Sequence, residues 1–173
     1  MSTPAWVRVD ADDPTLAAYK ALERPKEWIL CVGPRLPLSG VYNEAYAAMD
    51  AEWWGIINDD VVPETAGWDR ALIALAARDG MAVPAGGHGG TPHFVLGADL
   101  PRSTGWLSLP GLDRIYIDTV WADIAGALGV LRHAPDVVLR HRHFSNGGAL
   151  FDATYRKRRK IEDRAIYEAW KIH

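Results

Sequence analysis

The sequence predicts a single α/β domain in which a largely parallel, Rossmann-like β-sheet is flanked by helices. Continuous apolar runs, at residues 28–32 and 53–57, are typical of strands that are buried on both faces. Segments with apolar residues at helical spacing lie between such runs, so strands alternate with helices through most of the chain. Because the 173 residues contain no internal repeat and no low-complexity linker, we expect one compact domain over residues 1–173.

The elements of the first half of the chain are predicted from one helix start signal and from hydrophobic patterning. Residues 6–9 form a short strand candidate. Asp13 followed by Pro14 predicts a helix over residues 14–23, because an N-cap residue precedes a proline at the first helical position. A strand, a helix and a second strand follow, and they are indicated by residues 28–32, by Val41, Ala45, Ala48 and Met49, and by residues 53–57.

In the second half of the chain, helices are predicted after Pro63, after Asp118 and at the C-terminus over residues 152–172. Their apolar positions are, in chain order, Trp68, Leu72 and Leu75, then Val120, Trp121, Ile124 and Leu128, then Ile161, Ala165, Ala169 and Trp170. Short strands are predicted between these helices, at residues 81–84, 94–96, 114–117 and 137–142.

The composition is that of an ordinary, slightly acidic globular protein. It is 49% hydrophobic and 24% charged with a formal net charge of −3, which excludes a disordered chain and predicts no overall attraction to nucleic acid. The single cysteine, Cys31, excludes an internal disulfide and a zinc site built on paired cysteines. No apolar run approaches the ~18 residues of a membrane span, and no signal peptide is recognisable, so we expect a cytoplasmic protein.

Two adjacent carboxylates, Asp59 and Asp60, follow Asn58 at the end of the predicted strand 53–57. Open α/β sheets bind ligands at the carboxyl ends of their strands. Neighbouring carboxylates repel each other unless they are solvated or bridged by a cation, and here they can hold a divalent ion whose shell is completed by phosphate oxygens. The alternative is a turn that leads into a helix, because asparagine and aspartate are common turn residues.

The last predicted strand ends in alternating arginine and histidine residues. On a strand, His141 and His143 share one face, and Arg140 and Arg142 share the other. A histidine here can complete a metal shell, with a preference for manganese over magnesium, and an arginine can bind a diphosphate. The alternative is an edge strand that carries solvated charge.

Asp118 lies between a predicted strand and a predicted helix. It can be a plain N-cap, and it can also be a general base, which needs only a carboxylate within hydrogen-bond reach of an acceptor hydroxyl. The two roles are compatible, because a cap can lie at the mouth of a pocket.

A glycine-rich loop at residues 86–90 contains Gly86, Gly87 and His88, and His93 follows it closely. Glycine lets the backbone approach a ligand, and backbone amides can bind anions. The loop matches neither a P-loop nor a dinucleotide-binding fingerprint, so a substrate loop and a simple connection both fit. A basic segment at residues 156–160 is either a solvated helix face or a surface for polyanions such as DNA.

Taken in order, these motifs resemble a nucleotide-diphospho-sugar glycosyltransferase of the GT-A fold, in the family-two-like group. In that group an N-x-A helix precedes a strand that ends in an Asp-x-Asp-like motif, and a P…GW pattern follows. The corresponding segments here are Asn43-Glu44-Ala45, residues 54–63 (WGIINDDVVP) and Gly67-Trp68-Asp69. The later Tyr116-Ile117-Asp118 and the histidine-bearing last strand come in the expected order.

The resemblance covers residues 7–155 and departs from the family at two points. Asn58 stands where the motif has its first carboxylate. The family's first strand–helix unit has no counterpart, because residues 6–9 already resemble its second strand.

The resemblance implies roles for individual residues. Asp60, with Asp59 or Asn58 beside it, would hold a divalent cation, manganese or magnesium, against the diphosphate of the donor. His143 or His141 resembles the late metal-binding histidine of such enzymes. Asp118 matches the catalytic base of inverting members. The remaining positions would contact the donor itself: Asp10 or Asp12 the nucleobase or ribose, and Gly86, Gly87 and His88 the sugar.

The sequence leaves two other functions open. One is a non-catalytic module that binds a nucleotide sugar or a carbohydrate at a degenerate site, which Asn58 and the short N-terminus favour. The other is a metal-dependent phosphoesterase that uses Asp59, Asp60, His141 and His143. For a transferase the acceptor is also open: it can be a saccharide, a protein or a modified DNA base. A homo-oligomer is compatible with the sequence.

Overall fold

The computed structural model describes residues 37–58, 61–85, 91–142 and 160–172, together with the backbone of residues 5–6 and 28–29. The described helices are α1 (Leu38–Ala48), α2 (Trp68–Ala76), α3 (Asp99–Thr104), α4 (Ile117–Ala127) and α5 (Lys160–Lys171). The described strands are β1 (Ala5–Trp6), β2 (Trp28–Ile29), β3 (Trp53–Ile56), β4 (Val61–Pro63), β5 (Met81–Ala85), β6 (Phe94–Gly97) and β7 (Leu131–His141).

The main sheet has five strands in the order β3-β6-β5-β7-β4, and it is curled into half of a barrel. Only β5 and β7 are parallel neighbours, whereas β3–β6, β6–β5 and β7–β4 are antiparallel pairs. The prediction of a GT-A-like (Rossmann-like), largely parallel sheet is therefore wrong. A separate two-stranded sheet pairs β1 and β2 in parallel.

The error has a physical reason in the connection between β5 and β6. Residues 86–93 are too few for the crossover of a dozen or more residues that a parallel neighbour requires, so β6 returns antiparallel beside β5. The apolar run of β6 gives no sign of this direction, because helices cover both faces of the sheet and every residue of β6 is buried. A strand in that environment is apolar throughout in either direction.

Two hydrophobic clusters, one on each face of the sheet, form the core. Along β6, Phe94 and Leu96 belong to the cluster that contains Trp121 of α4, and Val95 belongs to the cluster that contains Leu72 of α2. This alternation is the period of two that a strand imposes on its side chains. The predicted apolar positions of α2 and the first three of α4 belong to these clusters. The fourth, Leu128, follows the end of α4 and is 61% exposed, so its prediction is wrong.

Pairing directions bring five strand ends to one edge of the sheet. Because β3 and β5 are both antiparallel to β6, and β5 is parallel to β7, the strands β3, β5 and β7 run the same way. Their carboxyl ends meet the amino ends of β6 and β4 at a common edge, which we call the carboxyl edge. Most of the residues that the sequence singles out follow or precede these strand ends.

Several predicted boundaries change in the structure. Residues 114–117 form no strand, because the backbone N–H groups of Asp113, Arg114 and Ile115 donate to the carboxylate of Asp163 on α5 and α4 begins at Ile117. The last strand begins at residue 131, not 137, because residues 131–134 pair with β5. The strand β4 and the helix α3 were not predicted.

Other predicted elements lie partly or wholly outside the described residues. These are residues 7–9 and 30–32 of the first two predicted strands, the helix at 14–23, the first part of the C-terminal helix at 152–172 and most of the basic segment at 156–160. Within the described part of the chain, no helix combines the length and the hydropathy needed to cross a membrane.

Gly97 at the end of β6 makes the tightest backbone approach described in the fold. Its N–H donates to the carbonyl oxygen of Gly80 at 2.8 Å, and a Cβ at this position would overlap the backbone carbonyl of Arg78. We expect Gly97→Ala to lower the free energy of unfolding by about 1–3 kcal/mol, because backbone atoms must shift to make room. Urea denaturation of the purified variant measures this loss.

Gly126→Ala is the matched control. Gly126 lies in the last turn of α4, and a Cβ there meets nothing within 4 Å. Alanine should therefore stabilise the helix by about 0.5–1 kcal/mol. If the two variants unfolded at the same urea concentration, the close approach at Gly97 would not contribute to the free energy of unfolding.

Candidate functional site

The pairing of β4 with β7 joins two of the predicted site features at the carboxyl edge. Asn58 lies just beyond β3, and Val61 at the start of β4 is paired with His141 at the end of β7. The chain passes from Asn58 to Val61 through Asp59 and Asp60. The described residues on either side of Asp59 and Asp60 thus belong to the end of β3 and to the strand pair that contains His141.

His141 lies against a second histidine that the sequence analysis noted only as a neighbour of the glycine loop. The rings of His93 and His141 meet edge to face, with centroids 4.8 Å apart and an interplanar angle of 76°. Both side chains are buried, at 1% and 8% exposure. His93 directly precedes β6, so the antiparallel direction of that strand brings it to this edge. His93 could have been identified from the sequence only if the direction of β6 had been predicted correctly.

Arg140 and Arg142 differ from His141 in burial. From Val137 onward more and less buried residues alternate, with His141 buried and with Arg140 and Arg142, the residue just beyond β7, exposed. Arg140 forms a bidentate pair with Glu64, in which Nη2 donates to Oε2 at 3.0 Å and Nε donates to Oε1. Hydrogen bonding to Arg140 lowers the pKa of the Glu64 carboxyl. The structure thus separates these arginines from the histidine pair instead of gathering them around one ligand.

Asp118 lies in the first turn of α4 and not at its N-cap, which is Tyr116. It is tied to the residues that lead into β6 by the Thr91 hydroxyl, which donates to the Asp118 backbone carbonyl at 3.4 Å. Burial raises the pKa of the Asp118 carboxyl, although backbone hydrogen bonds from Thr119, Asp118 and Thr91 and one from the Thr119 hydroxyl oppose this shift. Asp118 is therefore a partly buried carboxylate with increased basicity. Its partner Thr91 precedes the start of β6 at the carboxyl edge by three positions.

The loop before α4 is fastened by side chains from two helices. Asn43 of α1 accepts hydrogen bonds from the backbone N–H groups of Leu107 and Ser108, both at 2.9 Å, and its own amide donates to the Ser108 carbonyl at 2.8 Å. The indole N–H of Trp121 donates to the Leu107 carbonyl at 2.8 Å. Asn43, which the family resemblance singles out, thus binds the backbone of the loop that precedes α4.

Eight predicted site residues lie outside the described part of the chain. They are Asp10, Asp12, Asp59, Asp60, Gly86, Gly87, His88 and His143. Among the residues that are described, no three histidine, cysteine or acidic side chains cluster as metal ligands. Of the predicted metal ligands, only His141 has a described position. An imidazole nitrogen combined with carboxylate oxygens is a donor set that would suit manganese.

No protein-family model matches the chain, and no curated protein matches it either. The resemblance to glycosyltransferases therefore rests on the motifs of the sequence alone.

The raised pKa of Asp118 has a consequence for stability. A carboxyl group whose pKa is higher in the folded than in the unfolded state favours folding below the unfolded pKa, and this contribution is lost as the pH rises through the folded pKa. We therefore expect Asp118→Asn to be more stable than the wild type at pH 7, because the buried charge is removed. The difference should shrink as the pH approaches 4, and urea denaturation at both pH values measures it.

Asp136→Asn is the control for this experiment, because Asp136 is an exposed aspartate on β7. Its substitution should change the unfolding free energy little at either pH. A pH-independent effect of Asp118→Asn would contradict the role assigned to burial.

Proposed function

We propose that this protein is a metal-dependent glycosyltransferase, which transfers a sugar from a nucleotide-diphosphate donor to a hydroxyl acceptor with inversion. The observation that carries the proposal is the position of Asp118. It is a partly buried carboxylate of raised pKa, linked through Thr91 to the carboxyl edge at which Val61 of β4 pairs with His141 at the end of β7. A general base next to a metal and phosphate site is the pair of functions that such a transfer requires.

We assign the donor side of the site to the acidic pair Asp59 and Asp60 and to the end of β7. Asp60, with Asp59 or Asn58, and His141 or His143 would hold manganese or magnesium against the diphosphate. A bound cation of this kind supplies Lewis-acid stabilisation of the negative charge on a departing nucleotide diphosphate. The pairing of Val61 with His141 supports this assignment, because it ties the segment after Asp60 to the histidine.

The acceptor side is assigned to Asp118. Its carboxylate accepts the proton of the acceptor hydroxyl as that oxygen forms a bond to the anomeric carbon and the bond from this carbon to the diphosphate breaks. Direct displacement of this kind inverts the anomeric configuration. The raised pKa favours the role, because a base is most effective when its pKa approaches the working pH.

The single cysteine and the absence of a membrane-spanning helix among the described residues fit a cytoplasmic enzyme, which we include in the proposal. The acceptor class stays open between saccharide, protein and modified DNA base.

Donor binding is the first test. Thermal unfolding is followed with UDP-, GDP-, CMP- and dTDP-sugars, each with and without manganese. A ligand at a hundred times its dissociation constant adds about 2.7 kcal/mol, which gives a clear shift in melting temperature. We expect a manganese-dependent shift with one nucleotide class. The absence of any shift would contradict the proposal.

Two substitutions separate the donor and acceptor sides. Asp118→Asn should keep the manganese-dependent shift but lose transfer by about 10²–10⁴-fold, because only the general base is removed. His141→Gln should lose the manganese-dependent part of the shift. His133→Gln, an exposed histidine on the same strand, is the control and should change neither quantity.

The same assays distinguish the other functions. Wild-type donor binding without transfer to any acceptor class, and without donor hydrolysis, would indicate a binding module. Metal-dependent cleavage of a generic phosphodiester, with no nucleotide-sugar shift, would indicate a phosphoesterase.

A further inference from the structure

One face of the C-terminal helix α5 contacts the segment that carries Asp118. Asp163, Tyr167 and Lys171 recur at every fourth position and therefore share this face. Asp163 binds the loop before α4, Tyr167 contacts both that loop and α4, and Lys171 lies 3.9 Å from Asp123 of α4. These contacts follow α5 over successive turns, and their partners lie within residues 113–123.

The contact made by Asp163 is the most specific of the three. Its Oδ1 accepts from the N–H of Asp113 at 2.6 Å, and its Oδ2 accepts from those of Arg114 and Ile115 at 2.9 Å and 2.7 Å. The residue is 1% exposed. A buried carboxylate that binds three consecutive backbone N–H groups fixes the path of the chain, because each bond constrains one peptide plane.

Tyr116 continues this restraint toward Asp118. It has a φ of 69°, which is a strained conformation for a bulky residue. Its ring stacks on that of Tyr167, with centroids 4.7 Å apart and planes 9° apart. The Tyr167 hydroxyl in turn donates to Asp123 Oδ2 at 2.6 Å. The strained residue is thus held between α5 and α4, and Asp118 follows it by two positions.

We propose that Asp163 is a positioning residue, which sets the orientation of the Asp118 carboxylate from the C-terminal helix through loop 113–115 and Tyr116. Its effect on catalysis rests on the proposed function, in which Asp118 is the base. Its effect on Asp118 itself does not, because it follows from the contacts alone. A carboxylate is required at this position: an asparagine offers one acceptor oxygen, and its amide group would face an N–H donor.

The test compares full-length wild type, Asp163→Asn and the control Glu162→Gln, an exposed neighbour on the same helix. The first readout needs no substrate. The pH titration of the Asp118 carboxyl is followed by carbon NMR, and amide hydrogen exchange is measured over residues 113–119. In Asp163→Asn we expect the Asp118 pKa to move toward its ordinary value and exchange to quicken by about tenfold or more. Glu162→Gln should match the wild type in both measurements.

The second readout is kinetic. We expect kcat to fall about 100-fold in Asp163→Asn, with the KM for the donor unchanged, because misplacing a base affects the chemical step and not donor binding. If Asp163 had a merely structural role, its substitution would lower stability but would leave the ratio of kcat to the wild-type value and the Asp118 titration unaltered in the folded protein. A folded Asp163→Asn variant with wild-type titration and wild-type kcat would overturn the proposal.

If Asp163→Asn does not fold, Tyr167→Leu takes its place, since it removes the stack on Tyr116 and keeps Asp163. An altered Asp118 titration in this variant supports the proposal, and an unaltered one overturns it. Failure of the proposed function is distinguishable, because a wild type that binds no nucleotide sugar refutes the transferase while the titration still decides the role of Asp163.

Discussion

The antiparallel direction of β6 is the constraint on which the candidate site depends. β6 lies between β3 and β5, which both run opposite to it, so its amino end meets their carboxyl ends at one edge. His93 and Thr91, which lead into β6, are thereby brought to the same edge as Asn58 and His141. One residue contacts the ring of His141 and the other holds Asp118. A parallel β6 would have taken both residues to the opposite edge of the sheet.

Two different kinds of interaction support the two sides of the proposed site. The proposed donor side depends on strand pairing, because Val61 and His141 are neighbours in the β4–β7 ladder. The proposed acceptor side depends on long-range hydrogen bonds between side chains and backbone: Asn43 donates to the Ser108 carbonyl, and Asp163 accepts from the N–H groups of residues 113–115. Irregular backbone has no ladder to satisfy its polar groups, so buried polar side chains do so here.

The region around Asp118 combines features that cost folding free energy. Its carboxylate is partly buried with a raised pKa, and Tyr116 has a positive φ. Such features persist only where the surroundings stabilise them. The stack of Tyr167 on Tyr116 and the bonds of Asp163 to residues 113–115 do so here, both from α5. Unfavourable conformations and buried charges that are held by surrounding hydrogen bonds are typical of functional sites.

The sequence by itself determined which segments are buried and with what period. The apolar runs of β3, β5 and β6 were recognisable, as were most of the apolar positions of α2 and α4 and the polar residues at the strand ends. The reason is that the spacing of apolar residues within a segment indicates its secondary structure and its buried face. Only the tertiary structure decided the direction of β6, the inclusion of His93 and the pairing of Arg140 with Glu64. It also replaced the predicted strand at 114–117 by a loop bound to Asp163, nearly fifty residues later. Each of these outcomes depends on a partner far away in the chain, and local hydrophobic patterning carries no information about such partners.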